Sequence, residues 1–321
     1  PTAASYDGVF YQSTGAQLGQ SGFIRITTTK KGKFSGLLQT GFGRYPFSGF
    51  FDDNGDAEIF GTPFEIQVSN SGDQITGTIG DGETWTADLV LDKNSFNAKK
   101  NPAPFAGRYT IVFPGSGDVN NTQIPFGSGY GSINVSKSGQ ARFQGVLADG
   151  TKVTQTTSVS DHGLWPLFVR LYHGGGQLLG LESFVSANPL SAPVNWIKEE
   201  NDNARFYPDG FNFTTNSMGS PFNKTNAPIT GFGVGTVAFS GGNLARDFSD
   251  TVFVTGKKVK NQSETRLTLK VNPNTGLFNG SAENPGAKKP VKFKGAILQE
   301  QSSGSGFFLG ADQSGRVSVN P

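Results

Sequence analysis

The stretch Phe23–Thr27 reads Phe-Ile-Arg-Ile-Thr, which places its two isoleucines on one side of an extended chain and its arginine on the other. Apolar residues at every second position predict a half-buried β-strand. The same alternation recurs along most of the chain, and turn dipeptides such as Asn54-Gly55 and Asp149-Gly150 separate the segments. Glycine in these turns supplies the positive φ that a tight hairpin needs. The sequence therefore predicts an all-β fold of antiparallel meanders, in barrel-like or sandwich modules, with essentially no helix.

One order of anchor motifs occurs twice, with a period of about 100 residues, which is the size of one sheet domain. The first copy runs from Gly8-Val9-Phe10 to Trp85, and the second runs from Gly107-Arg108-Tyr109 to Trp196. We expect the two tryptophans at equivalent positions. A looser third copy follows and lacks the tryptophan. The expected units are a β module at 1–101, a second at 105–200, and at 201–321 an irregular excursion followed by a degenerate third β module.

A short unit, Phe-x-Gly, recurs within these copies, at Phe34–Gly36, Phe47–Gly49 and Phe293–Gly295. Residues two apart in a strand share one face of the sheet. We expect each phenylalanine to point into the core and each glycine to leave room for a ring on a neighbouring strand. Such packing is typical of closely packed or strongly curved sheets.

The charge balance excludes two classes of partner. The chain has 321 residues, 16% of them charged, with 27 Lys and Arg against 25 Asp and Glu. A net charge of +2 gives too weak a field to attract nucleic acid or an anionic membrane surface. No apolar stretch approaches the roughly 20 residues of a membrane-spanning helix. We therefore expect no nucleic-acid partner and no membrane insertion.

Residues that oxidise easily are almost absent, because the chain has no cysteine and a single methionine, Met218. Their absence removes thiol catalysis, disulfides and cysteine metal ligands. Together with 45 glycines and few charged residues, it favours a durable exported protein. The expected location is extracellular or on the cell surface.

Three motifs carry a resemblance to a known type of protein: Asp161–Leu171 (DHGLWPLFVRL), Leu178–Phe184 and Asn195–Lys198. With the anchors above, they resemble a glycine-rich, all-β repeat unit found in very large exported or surface proteins of environmental bacteria. The function of that unit is unassigned. The resemblance implies export and a modular context, and it implies no activity.

Groups suited to catalysis are few. Histidine occurs only at His162 and His173, both beside glycines typical of turns, and the common hydrolase motifs are missing. A glycosidase needs two carboxyl groups roughly 5–10 Å apart. Candidate pairs are Glu182 with Asp161 and Glu58 with Glu65. Because solvated acids at strand ends explain these residues more simply, we predict that the chain is not an enzyme.

The densest group of acids lies between Phe51 and Ile59. Its oxygen-bearing residues at alternate positions are Asp52, Asn54, Asp56 and Glu58. Alternate oxygen ligands are typical of a calcium loop, but the glycine is not where such a loop has it. An Asn-Gly turn explains the same residues without metal. Calcium is the one cofactor that the sequence suggests.

Five large aromatic residues are candidates for a flat platform that stacks on sugar rings. They are Trp85, Trp165, Tyr172, Trp196 and Tyr207. Rings in a sheet protein mostly fill the core, and the recurrence of a tryptophan in both copies favours packing. The exposure of these side chains distinguishes the two interpretations.

These observations leave three hypotheses for the function. The first is a non-enzymatic structural or adhesive module of an exported assembly, the second a carbohydrate-binding module, and the third a β-fold glycosidase. The expected partners are carbohydrate or further copies of the chain, joined at sheet edges. For such a joint the terminal run Arg316–Val319 is the candidate.

Overall fold

A computed structural model describes residues 3–185, 189–226, 233–255 and 258–321, except the side chain of Lys258. The predicted all-β fold is confirmed, because 55% of the described residues lie in strands that form antiparallel sheets. Within the described residues the single helical element is a 3-10 turn at Tyr172–Gly174. The same residues contain no helix with the length and hydrophobicity to cross a bilayer. We call residues 5–94 module 1, residues 107–221 module 2 and residues 234–320 module 3.

Module 1 is a meander of eight strands. They are β1 (Ser5–Phe10), β2 (Gly22–Thr28), β3 (Lys33–Thr40), β4 (Arg44–Phe50), β5 (Asp56–Ile59), β6 (Glu65–Asn70), β7 (Gln74–Gly80) and β8 (Thr86–Asn94). The sheet order is β4-β3-β2-β1-β8-β7-β6-β5, so the first strand pairs with the last. The barrel-like sheet is open between β4 and β5, where the Tyr45 ring packs edge-on against Phe64.

Module 2 has nine strands in two sheets. They are β9 (Gly107–Phe113), β10 (Gly129–Val135), β11 (Gln140–Val146), β12 (Lys152–Ser158), β13 (Leu164–Leu171), β14 (Gly176–Ser183), β15 (Pro193–Lys198), β16 (Phe211–Asn216) and β17 (Met218–Pro221). The sheet orders are β12-β11-β10-β9-β17 and β13-β14-β15-β16. Because β16 pairs with β15 and β17 pairs with β9, the two together take the place that β8 has in module 1.

Side chains close the seam of module 2 between β12 and β13. Pro166 in β13 has no N–H to donate to a ladder. Its carbonyl oxygen instead accepts hydrogen bonds from the Gln155 side-chain amide at 3.0 Å and from the Thr157 hydroxyl at 3.5 Å, both on β12. The seam is thus held without backbone pairing.

Module 3 repeats the eight-stranded arrangement. Its strands are β18 (Val234–Gly241), β19 (Phe248–Thr255), β20 (Lys258–Asn261), β21 (Thr268–Val271), β22 (Leu277–Ala282), β23 (Val291–Leu298), β24 (Ser303–Leu309) and β25 (Ser314–Asn320). The order is β20-β19-β18-β25-β24-β23-β22-β21, and the sheet is open between β20 and β21. β25 pairs with β18 on one side and with β24 on the other. The run Arg316–Val319, the candidate for a joint between copies, is therefore an interior strand that is paired on both sides within its own chain.

The strands do not end where the sequence motifs suggest. β16 and β17 lie beyond residue 200, the expected end of the second module, yet they pair within module 2. These short strands were not predicted, because the flanking turns are rich in proline and asparagine and make the segment look irregular. Phe34 and Phe143 do lie on the third strand of their modules. Trp85 immediately precedes the eighth strand of module 1, whereas Trp196 lies in the seventh strand of module 2, so their expected equivalence is wrong.

Buried side chains connect the three modules. One apolar cluster joins Val9 and Phe23 of module 1 to Phe168 and Leu179 of module 2. The main cluster of module 2 includes Phe307 and two further residues of module 3. Each outer module therefore packs on the middle one through residues removed from water, which is the dominant favourable term in such contacts.

Candidate functional site

The predicted aromatic platform does not form, because its members point inward. The exposed fractions of Trp85, Trp165, Trp196 and Tyr207 are 8%, 0%, 5% and 4%, and Tyr172 is half-buried. Trp165 packs inside module 2, and its indole N–H donates to the Thr157 hydroxyl at 2.8 Å. The structure therefore supports the interpretation that these rings pack in the hydrophobic core.

Two of the five aromatic residues meet in a hydrogen-bonded chain inside module 2. The Trp196 indole N–H donates to the Tyr172 hydroxyl oxygen at 3.0 Å, and that hydroxyl donates to the Asp149 carboxylate at 2.7 Å. Burial, with a smaller contribution from the Asp149 carboxylate, raises the pKa of Tyr172 well above its usual value. The phenol therefore stays protonated and serves as a fixed donor.

Lys198 and Tyr207 hold the irregular segment between β15 and β16. The Lys198 ammonium donates to the backbone carbonyls of Phe206 at 2.9 Å and Tyr207 at 2.5 Å. Burial lowers the pKa of Lys198, and the Asp149 carboxylate opposes that shift. The Tyr207 hydroxyl lies 2.9 Å from the Ser314 hydroxyl of module 3. These polar groups therefore position backbone and join two modules.

The predicted calcium loop is a turn whose main acid is already engaged. One carboxylate oxygen of Asp52 accepts the backbone N–H groups of Asn54 at 2.8 Å and Asp56 at 2.9 Å. This is an Asx turn, which needs no metal. Across the described part of the chain, no three His, Cys, Asp or Glu side chains form a group that could hold a metal ion. The calcium prediction thus has no support from the geometry.

An open groove of about 970 Å³ lies on the outer face of module 1, over β5, β6 and β7. We call it the acidic groove, because Asp52, Asp56 and Glu58 line it. Two phenylalanines, Phe50 and Phe60, also line it, with exposed fractions of 69% and 75%. A groove that brings together exposed apolar side chains within a polar surround is typical of a binding surface.

Short polar side chains form the floor of the acidic groove. They are Gln67, Ser69, Thr76 and Thr78, which alternate along β6 and β7 with the buried residues of the barrel wall. Hydroxyl and amide groups beside exposed rings are the combination that binds a polar ligand with flat apolar faces.

Sequence reasoning did not single out Phe50 or Phe60. The available signal was the dipeptide Phe50-Phe51, because consecutive residues of a strand face opposite sides of the sheet. Phe51 is buried beside Phe34, with ring centroids 4.8 Å apart. Phe50, the preceding residue, therefore points outward, because successive side chains of a strand alternate between the two faces.

The two candidate pairs of carboxyl groups differ in their surroundings. Glu182 is 0% exposed, and burial raises its pKa to about 8, with a smaller opposing effect from Ser217. Its partner in the hypothesis, Asp161, is exposed and accepts the backbone N–H of Ser95 at 2.8 Å. Glu58 and Glu65 are both exposed and line a shared depression of about 570 Å³. Of the two pairs, only Glu58 and Glu65 are both accessible to solvent.

Both histidines lie in turns, as predicted. The Nδ1 atom of His162 lies 2.8 Å from a carboxylate oxygen of Asp92. His173 belongs to the 3-10 turn and has a φ of 58°.

Comparison with known proteins adds no relative. No protein-family model matches the sequence, and no curated protein matches it at a significant level. The resemblance to a repeat unit of large surface proteins therefore stays a hypothesis.

Proposed function

We propose that this chain is a non-catalytic structural and adhesive module of an exported assembly. The observation that carries the proposal is the buried contact of both outer modules with the middle one, seen in the cluster of Val9, Phe23, Phe168 and Leu179 and in the insertion of Phe307 into the module 2 core. Three sheets joined in this way hold their outer faces in fixed relative positions. A rigid body with several fixed faces suits assembly and adhesion.

Side chains fill the interiors of the barrels, so we infer that a partner binds at an outer face. Large side chains such as Trp165, Phe143 and Phe34 are fully buried and fill the interiors. The acidic groove, by contrast, is open to solvent and presents Phe50 and Phe60. Adhesion through this module would therefore use the groove, because it combines exposed rings with polar groups.

A carbohydrate ligand is the second candidate, and the composition of the acidic groove favours it. Exposed phenylalanine rings can stack on the apolar faces of sugars, while the Gln67, Ser69, Thr76 and Thr78 side chains can bond to hydroxyl groups. In this second proposal, Phe50 and Phe60 stack on the sugar, and the buried tryptophans do not.

A glycosidase has weaker support than either binding role. One candidate acid, Glu182, is sealed inside module 2. The other pair, Glu58 and Glu65, lies on an open surface, where water is not excluded. Enzymes generally hold a catalytic acid at a site from which water is partly excluded.

Adhesion under flow tests the proposal. Microspheres carrying the covalently attached full chain are passed over surfaces coated with xylan, chitin or fibronectin. We expect retention on at least one surface, a loss of about tenfold for Phe60→Ser, because a buried aromatic anchor contributes over 1 kcal/mol, and no change for Phe42→Ser. Phe42 is also exposed but does not line the groove.

The surfaces distinguish the two candidate roles. Retention on a polysaccharide that free oligosaccharide abolishes would support carbohydrate binding, whereas retention on fibronectin alone would support protein adhesion. Retention on none of the surfaces, or equal loss in both variants, would contradict an adhesive role for the groove.

A further inference from the structure

The small net charge of the whole chain hides a strong separation of charge between its ends. Residues 1–94 contain six Lys and Arg against eleven Asp and Glu, a net charge of −5. Residues 233–321 contain eleven Lys and Arg against six Asp and Glu, a net charge of +5. Modules 1 and 3, which carry these opposite charges, each pack on module 2. Opposite fields on different parts of one molecule attract complementary surfaces of other molecules.

The basic charge of module 3 is concentrated at a second groove, of about 850 Å³. We call it the basic groove, because its lining includes Lys270, Lys289, Lys292 and Lys294 and no acidic residue. Burial and the nearby Lys152 lower the pKa of Lys294. Among the described residues, the three ion pairs lie elsewhere in the fold. Like charges gathered around one groove favour an anionic partner.

The basic groove also presents apolar side chains to solvent. Leu309 is 39% exposed, Pro290 is exposed and Leu244 is half-buried. A partner that suits this groove therefore offers an apolar group flanked by carboxylates. The rim of the acidic groove offers these features, because Phe60 is 75% exposed and Asp56 and Glu58 lie beside it.

The two grooves occupy related places in the repeated fold. The acidic groove lies over β5, β6 and β7, which are the fifth to seventh strands of module 1. The basic groove lies over β22, β23 and β24, the fifth to seventh strands of module 3, with Lys270 contributed by β21. The same outer face of the module has thus acquired opposite charge at the two ends of the chain.

We propose that the acidic groove of one copy of this chain docks in the basic groove of a second copy. Phe50 and Phe60 would contact Leu309 and Pro290, and Asp56 and Glu58 would face the lysines. Because the two surfaces differ, the contact is heterologous, and a docked pair keeps one free acidic groove and one free basic groove for further copies. Such head-to-tail chains presuppose the structural role proposed above and name its partner as the protein itself.

Solution mass measures this contact directly. The full chain is examined by sedimentation velocity and light scattering at high protein concentration, in about 50 mM and about 1 M NaCl, where the screening length falls from roughly 14 to 3 Å. We expect the weight-average mass at low salt to exceed the monomer mass by about twofold or more, and to return to the monomer value at high salt. A monomer at low salt would overturn the proposal.

Charge-reversal variants separate this contact from general stickiness. The variant Asp56→Lys with Glu58→Lys should be monomeric at low salt, and so should Lys270→Glu with Lys292→Glu. All four side chains are exposed. The matched control for the lysine reversals is Lys99→Glu with Lys100→Glu, which changes the net charge by the same amount and sign at an exposed turn outside both grooves and should associate like the unaltered chain.

A mixture of the two reversed variants gives the decisive result. The first variant keeps the native basic groove and the second keeps the native acidic groove, so an equimolar mixture should associate although neither variant associates alone. If the mixture stays monomeric, the docking proposal fails. If the unaltered chain is monomeric but binds dextran sulfate through Lys270 and Lys292, the basic groove binds polyanions and the proposal is likewise overturned.

These outcomes are independent of the adhesion assay. If the chain is monomeric in solution but is retained on polysaccharide or fibronectin, the adhesive role is supported and the docking proposal is rejected. If the chain assembles but is retained on none of the coated surfaces, the docking proposal is supported and adhesion to other molecules is rejected.

Discussion

The ring of Phe34 lies over Gly49, its direct partner across the β3–β4 ladder, with the ring atom Cζ 2.6 Å from the place that a Cβ on Gly49 would occupy. The relationship is reciprocal, because Phe47 lies over Gly36 in the same pair of strands. Each Phe-x-Gly unit thus supplies one ring and receives another. The same exchange recurs in module 3 between Phe278–Gly280 and Phe293–Gly295 on β22 and β23.

Replacing Gly36 by alanine should therefore destabilise module 1. The added methyl would overlap the Phe47 ring and lie 2.5 Å from the backbone carbonyl oxygen of Arg25, and that carbonyl cannot move without disturbing the sheet. We expect a loss of about 1–3 kcal/mol in the free energy of unfolding in urea. Gly117→Ala is the control, because nothing lies within 4 Å of its added Cβ. Equal stability of the two variants would reject the packing role of the Phe-x-Gly unit.

The sequence predicted the strands and the Phe-x-Gly packing because both follow from the period of two and from the size of glycine. It did not predict the contact between modules, because Leu179 and Phe168 read as ordinary core residues until their partners in module 1 are known. It also missed β16 and β17, which are short and follow an irregular segment. Strand order is decided by pairing between distant residues, and local patterns do not report it.

The candidate site was predicted less well than the fold. Trp85, Trp165 and Trp196 suggested a platform by residue type alone, but their inward position makes them core. Phe50 and Phe60 are exposed only because their neighbours Phe51 and Ile59 take the inward positions. The separation of charge between the ends was present in the sequence but cancels in the net charge of +2.

Removing the Tyr172 hydroxyl should destabilise module 2. Tyr172→Phe takes away the acceptor of the Trp196 indole N–H, and Trp196 is only 5% exposed. It also removes one donor to Asp149 Oδ2, which keeps the hydrogen bond from the Thr151 hydroxyl at 2.9 Å. The expected loss in the free energy of unfolding is about 1–3 kcal/mol. Tyr11→Phe serves as the control, because Tyr11 is 45% exposed and its hydroxyl can meet water. A Tyr172→Phe protein as stable as the control would show that the hydrogen-bonded chain adds no stability.

Glu182 should make the stability of the protein fall as the pH rises. Its pKa is about 8 in the folded chain against an ordinary value of 4.5, so between these pH values the folded state holds a proton that the unfolded state releases. The free energy of unfolding should then decrease by an amount on the order of a few kcal/mol from pH 4.5 to pH 8.

Comparison of variants isolates this contribution. Glu182→Gln cannot titrate, so its free energy of unfolding, measured in urea at a series of pH values, should fall less steeply than that of the unaltered chain over the same window. Glu58→Gln, at an exposed position, should keep the steeper fall. Parallel pH profiles for Glu182→Gln and the unaltered chain would mean that Glu182 is ionised in the folded protein.

Differential scanning calorimetry of the full chain asks whether the three modules form one body. Buried contacts such as that of Phe307 with the module 2 core should couple their unfolding. We expect a single transition, with a calorimetric enthalpy of about 220 kcal/mol near 60 °C for 321 residues and a van't Hoff enthalpy equal to it. Two or three separate transitions, or a van't Hoff enthalpy near a third of the calorimetric value, would show independent modules and contradict the rigid structural unit.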